Sequence, residues 1–345
     1  MNRKFASGLA LGAVALLTLT GCGTVGGGGG TAGDGEKVSP EDMTMVTVVK
    51  ITGVGWFDRM EIGVNEFAKE TGIDARQEGA DDASPEKQIQ IIQDLIPQAP
   101  TAITVVPNAP EALETVLEQA RDQGIIVVTH EAAGIENADI DIEAFENKAY
   151  GAQIMDNLAE CMGETGEYVS FVGGLTAKTH MEWVGGAQEK QEAEYPDMKR
   201  VEDPIETKED ENVAYQRAKE LLAKYPDLKG FQGSAGTDAA GIARAVQEAG
   251  LEDSVCVMGT SIPSVAKKYL EDGSIDKAFF WDPALAGKAQ LKIAELLASG
   301  KTIEEGTDLG IEGYESLTKL DGFDNVYVGD AAIEVDADNV NDFDF

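Results

Sequence analysis

The sequence predicts an α/β fold of two doubly wound parallel-sheet lobes joined by a multi-strand hinge. Three observations carry that expectation. From residue 44 on, short β-rich runs alternate with amphipathic stretches, the pattern of strands separated by crossover helices. The alternation runs through twice, with a break near residues 145–151. The length of 345 residues suits about two domains.

Taken in order, 45–51 (MVTVVKI) reads as a buried strand and 56–70 as a helix, with Phe57, Ile62 and Phe67 at helical spacing and Thr71-Gly72 as its stop. A short strand fits 74–77, a helix fits 85–96 behind Pro85, and a strand fits 102–106. Then follow a helix at 111–123 closed by Gly124, a strand at 125–129 and a strand at 140–145. The second round has helices at 147–162, 181–194, 211–224, 239–249, 263–271 and 284–299. Its strands fall at 168–172, 200–205, 230–233, 255–258 and 277–281. Residues 307–345 break the rhythm, with strands expected at 325–328 and 332–335 that return to tie the lobes together. The expected division is 44–147 for the first lobe, 148–278 for the second, and 279–345 for a return to the first lobe, hinge and tail.

Ahead of the lobes, Arg3 and Lys4 precede an almost uncharged apolar run over 5–20. At about 16 residues it is short for a membrane span and suits a signal-peptide core. It ends in Leu19-Thr20-Gly21-Cys22, which resembles a bacterial lipobox. Residues 1–21 are thus expected to be a lipoprotein signal peptide and Cys22 the acylated N-terminus. Removing the leader takes Arg3 and Lys4 and moves the formal charge from −36 to −38. Residues 22–43, with Gly26 to Gly30 unbroken, read as a flexible tether. The expected place of work is the outer face of the cytoplasmic membrane or the periplasm, touching lipid only through the anchor.

Composition excludes several functions. Hydrophobic residues make up 43%, which argues for a folded core. Lys and Arg total 27 against 63 Asp and Glu, so the surface repels phosphate backbones and no nucleic-acid partner is expected. The acidity fits either a salty or acidic habitat or a solubility device. Three Cys and two His rule out a disulfide scaffold and a zinc site with several Cys ligands. Cys161, in a helical pattern, and Cys256, in a strand, are read as two buried thiols rather than a bridge. No cofactor or metal is expected. There is no GxxxxGK[ST] loop, no third Gly after Gly53-Val54-Gly55 at dinucleotide spacing, and no G-x-S-x-G elbow. No nucleophile–base pair can be named, so an enzyme is not expected.

Ligands of open parallel sheets bind beyond the C-terminal strand ends. All three Trp and both His lie in such windows: Trp56 after the first strand, His130 after the fourth, His180 and Trp183 after the first strand of the second round, and Trp281 after the last. Indole faces suit the C–H patch of a sugar ring. Charged and amide groups suit hydroxyls, and discriminate because they are costly to leave unpaired. Lys50 closes an apolar strand, where it is expensive unless paired or facing ligand. The predicted ligand contacts are Lys50, Trp56, Phe57 and Glu131 on the first lobe, and His180, Trp183, Ser234 and Asp282 on the second, with Asp282 at a crossover. The plainer alternatives are lobe-core packing for Trp56 and Phe57, helix-on-helix packing for Trp183, and a helix cap for His180 or Asp282.

The order of these pieces resembles the periplasmic-binding-protein class that serves ABC importers of simple sugars, most closely the branch with the autoinducer-2 receptor and the rhamnose-binding proteins. The resemblance spans residues 46–345. Its carriers are Lys50 with Gly53-Val54-Gly55-Trp56-Phe57, Thr129-His130-Glu131, Trp183, Thr260-Ser261-Ile262-Pro263, Phe280-Trp281-Asp282 with Gly287-Lys288, and Asp342-Phe343-Asp344-Phe345. It implies a type I fold and a monomeric receptor that hands a monosaccharide or small polyol to a membrane ABC permease. The alternative is a sensor for a furanosyl signal, reporting to a membrane kinase or chemoreceptor. Lys50 and Asp282 match ligand contacts of the branch, and Glu131 stands where the signal receptor has Asp. Thr179-His180 replaces an Asp-Gln pair, and Ser234-Ala235-Gly236 replaces a Pro-containing loop. Those departures point to a polyol or deoxy-sugar other than the autoinducer.

Overall fold

The computed structural model describes Ser39–Phe345. The expected signal peptide (1–21), Cys22 and most of the expected tether lie outside these residues.

The first run of the chain supplies β1 (Thr44–Val49), α1 (Gly55–Thr71), β2 (Asp74–Gly79), α2 (Pro85–Leu95), β3 (Ala102–Val105), α3 (Pro110–Asp122), β4 (Ile126–His130) and β5 (Ile140–Glu143). The second supplies α4 (Asn147–Met162), β6 (Gly166–Val172), α5 (Lys178–Glu194), β7 (Met198–Arg200), β8 (Ile205–Glu206), α6 (Glu211–Lys224), β9 (Leu228–Gly233), α7 (Asp238–Ala249), β10 (Cys256–Thr260), α8 (Pro263–Glu271) and β11 (Lys277–Phe280). Then come α9 (Pro283–Ala298), β12 (Thr318–Lys319), β13 (Val326–Val328) and β14 (Ile333–Val335).

Two sheets result. One has the order β12-β13-β5-β4-β3-β1-β2, parallel except for the β12 edge. The other has the order β14-β11-β10-β9-β6-β7, with β8 also on β6, parallel except for the β14 edge. The chain passes between them three times: from β5 to α4, from β11 to α9, which packs on α1, β3 and β4, and from β13 to β14. This is the multi-strand hinge of the sequence expectation.

Strand β1 shows why both faces are covered. Side chains alternate sides along a strand. Val46 and Val48 enter one core with Ile92 of α2 and Leu113 and Leu117 of α3. Met45 and Val49 enter the other with Phe57, Met60 and Val64 of α1. A strand buried on both faces needs a near-continuous apolar run, which 45–49 supplies with Thr47 as its one polar residue. In the second lobe α4 and α5 touch at the backbone. A Cβ on Gly151 would stand 1.9 Å from the carbonyl oxygen of Trp183, so only glycine permits this approach.

Three expectations need correction. The strand expected at 200–205 is two short strands, Met198–Arg200 and Ile205–Glu206. Pro204 lies between them and has no N–H to give a ladder. The helix expected from 181 begins at Lys178, without a side-chain cap at Ala177 to mark it. Cys161 and Cys256 are not free thiols but a disulfide, with Cα atoms 6.1 Å apart. The end of α4 lies against the start of β10, a closeness that 95 residues of separation conceal.

Candidate ligand-binding site

The C-terminal ends of both sheets face one cleft. Its mouth is a groove of about 890 Å³. The rim is acidic: Asp81, Asp82 and Glu86 on one side, Glu206, Asp210 and Glu211 on the other, with Lys208 the one basic residue of the lining. Deeper in lies a cavity of about 30 Å³, room for little more than two waters. The lobes are in contact around it. A Cβ on Gly236 of the second lobe would meet Trp56 Cε3 of the first at 3.1 Å, and one on Gly55 would touch the Ile262 and Val265 side chains at 3.4 Å. The lobes are shut on one another here, and the cavity must widen to admit a ligand larger than two waters.

The first-lobe wall is built on the ends of β1 and β4. Lys50 is 3% exposed and bonds to Glu131, which is 4% exposed. Burial works against the ammonium, but Glu131, Glu209 and Glu143 outweigh it and raise the Lys50 pKa above the ordinary lysine value. The backbone there is braced. Asn108 donates to the Lys50 carbonyl at 2.9 Å, and Gln88 donates to the carbonyls of Val49 and Val106 at 3.2 and 2.8 Å while accepting from Asn108 N–H. Glu131 itself has φ of 61°, a left-handed conformation that turns its carboxylate back toward Lys50.

The indoles converge. Trp281 follows β11 and sits between Trp56 of α1, at a centroid distance of 4.6 Å, and Trp183 of α5, at 5.7 Å. Each of the two deeper rings is held by its N–H. Trp183 donates to Asn147 Oδ1 at 2.8 Å. Trp281 donates to His130 Nε2 at 3.2 Å, while His130 Nδ1 donates to the Ile142 carbonyl at 2.6 Å. Burial lowers the His130 pKa, so the ring is neutral and can accept from Trp281.

The second-lobe wall differs in kind. His180 Nδ1 accepts from Gly173 N–H at 3.1 Å, which leaves the ring proton on Nε2. Burial, with the Lys50 charge adding to it, holds its pKa well below the usual histidine value. Ser234 Oγ and Thr237 Oγ1 are buried and make no hydrogen bond among the described residues. The backbone of the Ser234 turn is pinned by Asp238, whose Oδ2 accepts from Ser234 and Ala235 N–H at 3.1 and 2.8 Å.

The family profile for the periplasmic binding protein domain matches residues 45–302. The chain belongs to the periplasmic-binding-protein family. It is 25% identical over 289 residues to the D-ribose/D-allose-binding protein of Pseudomonas aeruginosa, covering 79% of this chain and 88% of that one. It is 25% identical over 293 residues to the xylitol-binding protein of Mycolicibacterium smegmatis, covering 82% and 80%. Among solved structures it resembles LsrB from Clostridium saccharobutylicum in complex with AI-2, with a TM-score of 0.82, 20% identity, and 88% of this chain and all of that one covered. A solute-binding protein from Clostridium phytofermentas with bound L-rhamnose gives a TM-score of 0.81 and 19% identity, covering 87% and 97%. Members of the family bind solutes; this is a binding protein, not an enzyme. None of its described helices is long and apolar enough to cross a membrane.

In this periplasmic binding protein the structure brings seven of the sequence-predicted residues to one cavity: Lys50, Trp56, Phe57 and Glu131 from one lobe, His180, Trp183 and Ser234 from the other. Asp282 is not there. It caps α9, accepting from Ala284 N–H at 2.8 Å, and Arg59 grips it with two bonds of 2.9 and 2.6 Å. The side chain beside it, Trp281, faces the cavity instead, since successive side chains leave an extended chain on opposite sides. Glu209, Thr237 and Thr260 also line the cavity and are not among the contacts the sequence pattern singles out. Thr260 and Thr237 lie at or just past strands β10 and β9, so the strand-end rule reaches them. Glu209 follows a strand of only two residues, whose end the sequence pattern hides.

Proposed function

We propose that this protein captures a monosaccharide-sized polyol between its lobes and presents the closed form to an ABC permease. One observation carries the reading: indole rings from both lobes and a set of hydroxyl-reading polar groups converge on a single interlobe cavity. Apolar ring faces with a few directional polar groups suit a pyranose or furanose. The relatives named for ribose, allose and xylitol agree in ligand class. Closure of the first lobe (44–147) on the second (148–278) would follow from ligand contacts made on both, with the three crossings absorbing the motion. The protein works as a monomer outside the cytoplasmic membrane, and Cys22 is its lipid attachment point.

The experiment is a thermal-shift and calorimetric screen of residues 23–345 against pentoses, hexoses, deoxy-sugars and alditols. A ligand raises the melting temperature by mass action and changes the fluorescence of the converging Trp residues. A panel with no such response overturns the polyol reading.

A further inference from the structure

We propose that Glu209 is a specificity-determining residue of this site: its carboxylate accepts hydrogen bonds from hydroxyls of a neutral polyol and excludes sugar acids and sugar phosphates. The inference rests on the polyol reading above and adds the charge class of the ligand and the residue that sets it.

The geometry shows a seat made for this side chain. Lys208 and Glu209 have φ of 61° and 56°, two successive non-glycine residues in the left-handed region, which the backbone adopts only where its surroundings compel it. The conformation drives Glu209 inward to 9% exposure while Lys208 stays exposed. Gly173, just past β6, leaves the space. A Cβ there would stand 2.1 Å from Glu209 Oε1 and 3.1 Å from His180 Cε1. The carboxylate makes no hydrogen bond among the described residues, so both its oxygens keep free acceptor capacity. The hydroxyls of Ser234 and Thr237, buried and unpartnered, share the same wall.

The charges then select the ligand. Among the described residues Lys50 is the one cation lining the cavity, and it is already bonded to Glu131. A bound anion would meet Glu209 with no cation left over, behind a rim of carboxylates. A neutral polyol donates hydroxyl protons to Glu209 and leaves the Lys50–Glu131 pair intact. The groups facing Glu209 are Lys50 past β1, Glu131 past β4, Asp238 at the start of α7 and neutral His180 of α5. Burial pushes the Glu209 pKa up to about 7, against the pull of Lys50 and with Asp238 and Glu131 adding to it, so the charge that rejects anions is complete only above that value and the probes are compared at pH 8.

Calorimetry on residues 23–345 tests this with D-ribose, L-rhamnose and xylitol as neutral probes, and D-galacturonate and D-ribose 5-phosphate as anionic ones. The wild type should bind at least one neutral probe and neither anion. Glu209→Gln should weaken the neutral probe about tenfold, the scale of losing one charge-assisted hydrogen bond, and narrow the gap between neutral and anionic probes. Should E209Q fail to fold, Glu209→Asp carries the test: neutral binding weakens while rejection of galacturonate persists. An unchanged neutral-to-anionic ratio in E209Q, or a wild type that takes galacturonate as readily as ribose, overturns the role of Glu209 and leaves the polyol reading standing. A wild type that binds none of these neutral probes and no sugar or alditol of the wider panel overturns both.

Discussion

The two walls of the cleft are built on different principles. On the first lobe, Lys50 and Glu131 satisfy one another, and Asn108 and Gln88 fasten the backbone beneath them. On the second, the Ser234 and Thr237 hydroxyls have no hydrogen-bond partner among the described residues, and the Glu209 carboxylate lines the cavity beside them. A wall whose polar groups are already paired is the same with or without ligand. A wall of unpaired groups gains only when a complementary molecule arrives, because a wrong one leaves them unsatisfied. Affinity can therefore rest on both lobes while discrimination rests mainly on the second.

The largest test of that contrast is Lys50→Ala. It strands the buried Glu131 carboxylate, and the protein should lose about 3–5 kcal/mol of stability together with its ligand binding. Urea denaturation measures the first loss and calorimetry the second. A fully stable variant would mean that the first-lobe pair is not the self-sufficient unit described.

Next in size is the effect of pH. Burial lifts the neighbouring Asp141 and Glu143 carboxyls well above their ordinary values on the first sheet. It lifts Asp238 to about 6 and Glu209 to about 7 on the second lobe. Between the unfolded carboxyl range near 4 and these raised values, the native state holds more protons than the unfolded chain. Stability is thus greatest at acidic pH within that window and falls as pH rises through it, by on the order of a few kcal/mol. Chemical denaturation at pH 5, 6, 7 and 8 should show a steady decline. A flat or rising profile would contradict the burial of these groups.

Smaller effects separate the walls from their surroundings. Asp282→Ala removes a helix cap and an Arg59 partner, and should cost about 1–2 kcal/mol while leaving ligand affinity within twofold. A selective loss of affinity would return Asp282 to the contact set. Ser234→Ala deletes a hydroxyl that has no hydrogen-bond partner among the described residues, so stability should stay within about 0.5 kcal/mol. Its affinity for a polyol should still drop several-fold. The opposite pattern would show that Ser234 serves the fold.

The fold was legible wherever local chemistry announced itself. Helix α4 occupies the expected residues because Glu146 caps its start and Gly163, in a left-handed conformation, ends it. Helix α5 has no such start signal at Ala177, and the apolar pattern places its start three residues late. The strand-end rule reached the cleft because parallel sheets place those ends together. It could not tell which of two neighbouring side chains turns inward, and so it favoured the charged Asp282 over Trp281. Glu209 lay beyond reach because its position depends on a two-residue strand and on the missing side chain of Gly173. The Cys161–Cys256 bond was illegible for a similar reason: it reflects how α4 folds back on β10, not any feature near either cysteine.

That bond ties the protein's preparation to its history. Thioredoxin and glutathione in a bacterial cytosol keep such sulfurs reduced, whereas exported chains oxidise. Closing a loop of 95 residues is worth about 4–5 kcal/mol in the chain-entropy account, so cytosolic and secreted batches of residues 23–345 are two materials of unequal robustness. A thiol titration in denaturant, reading none for one batch and two for the other, tells which is in the tube before any sugar is added.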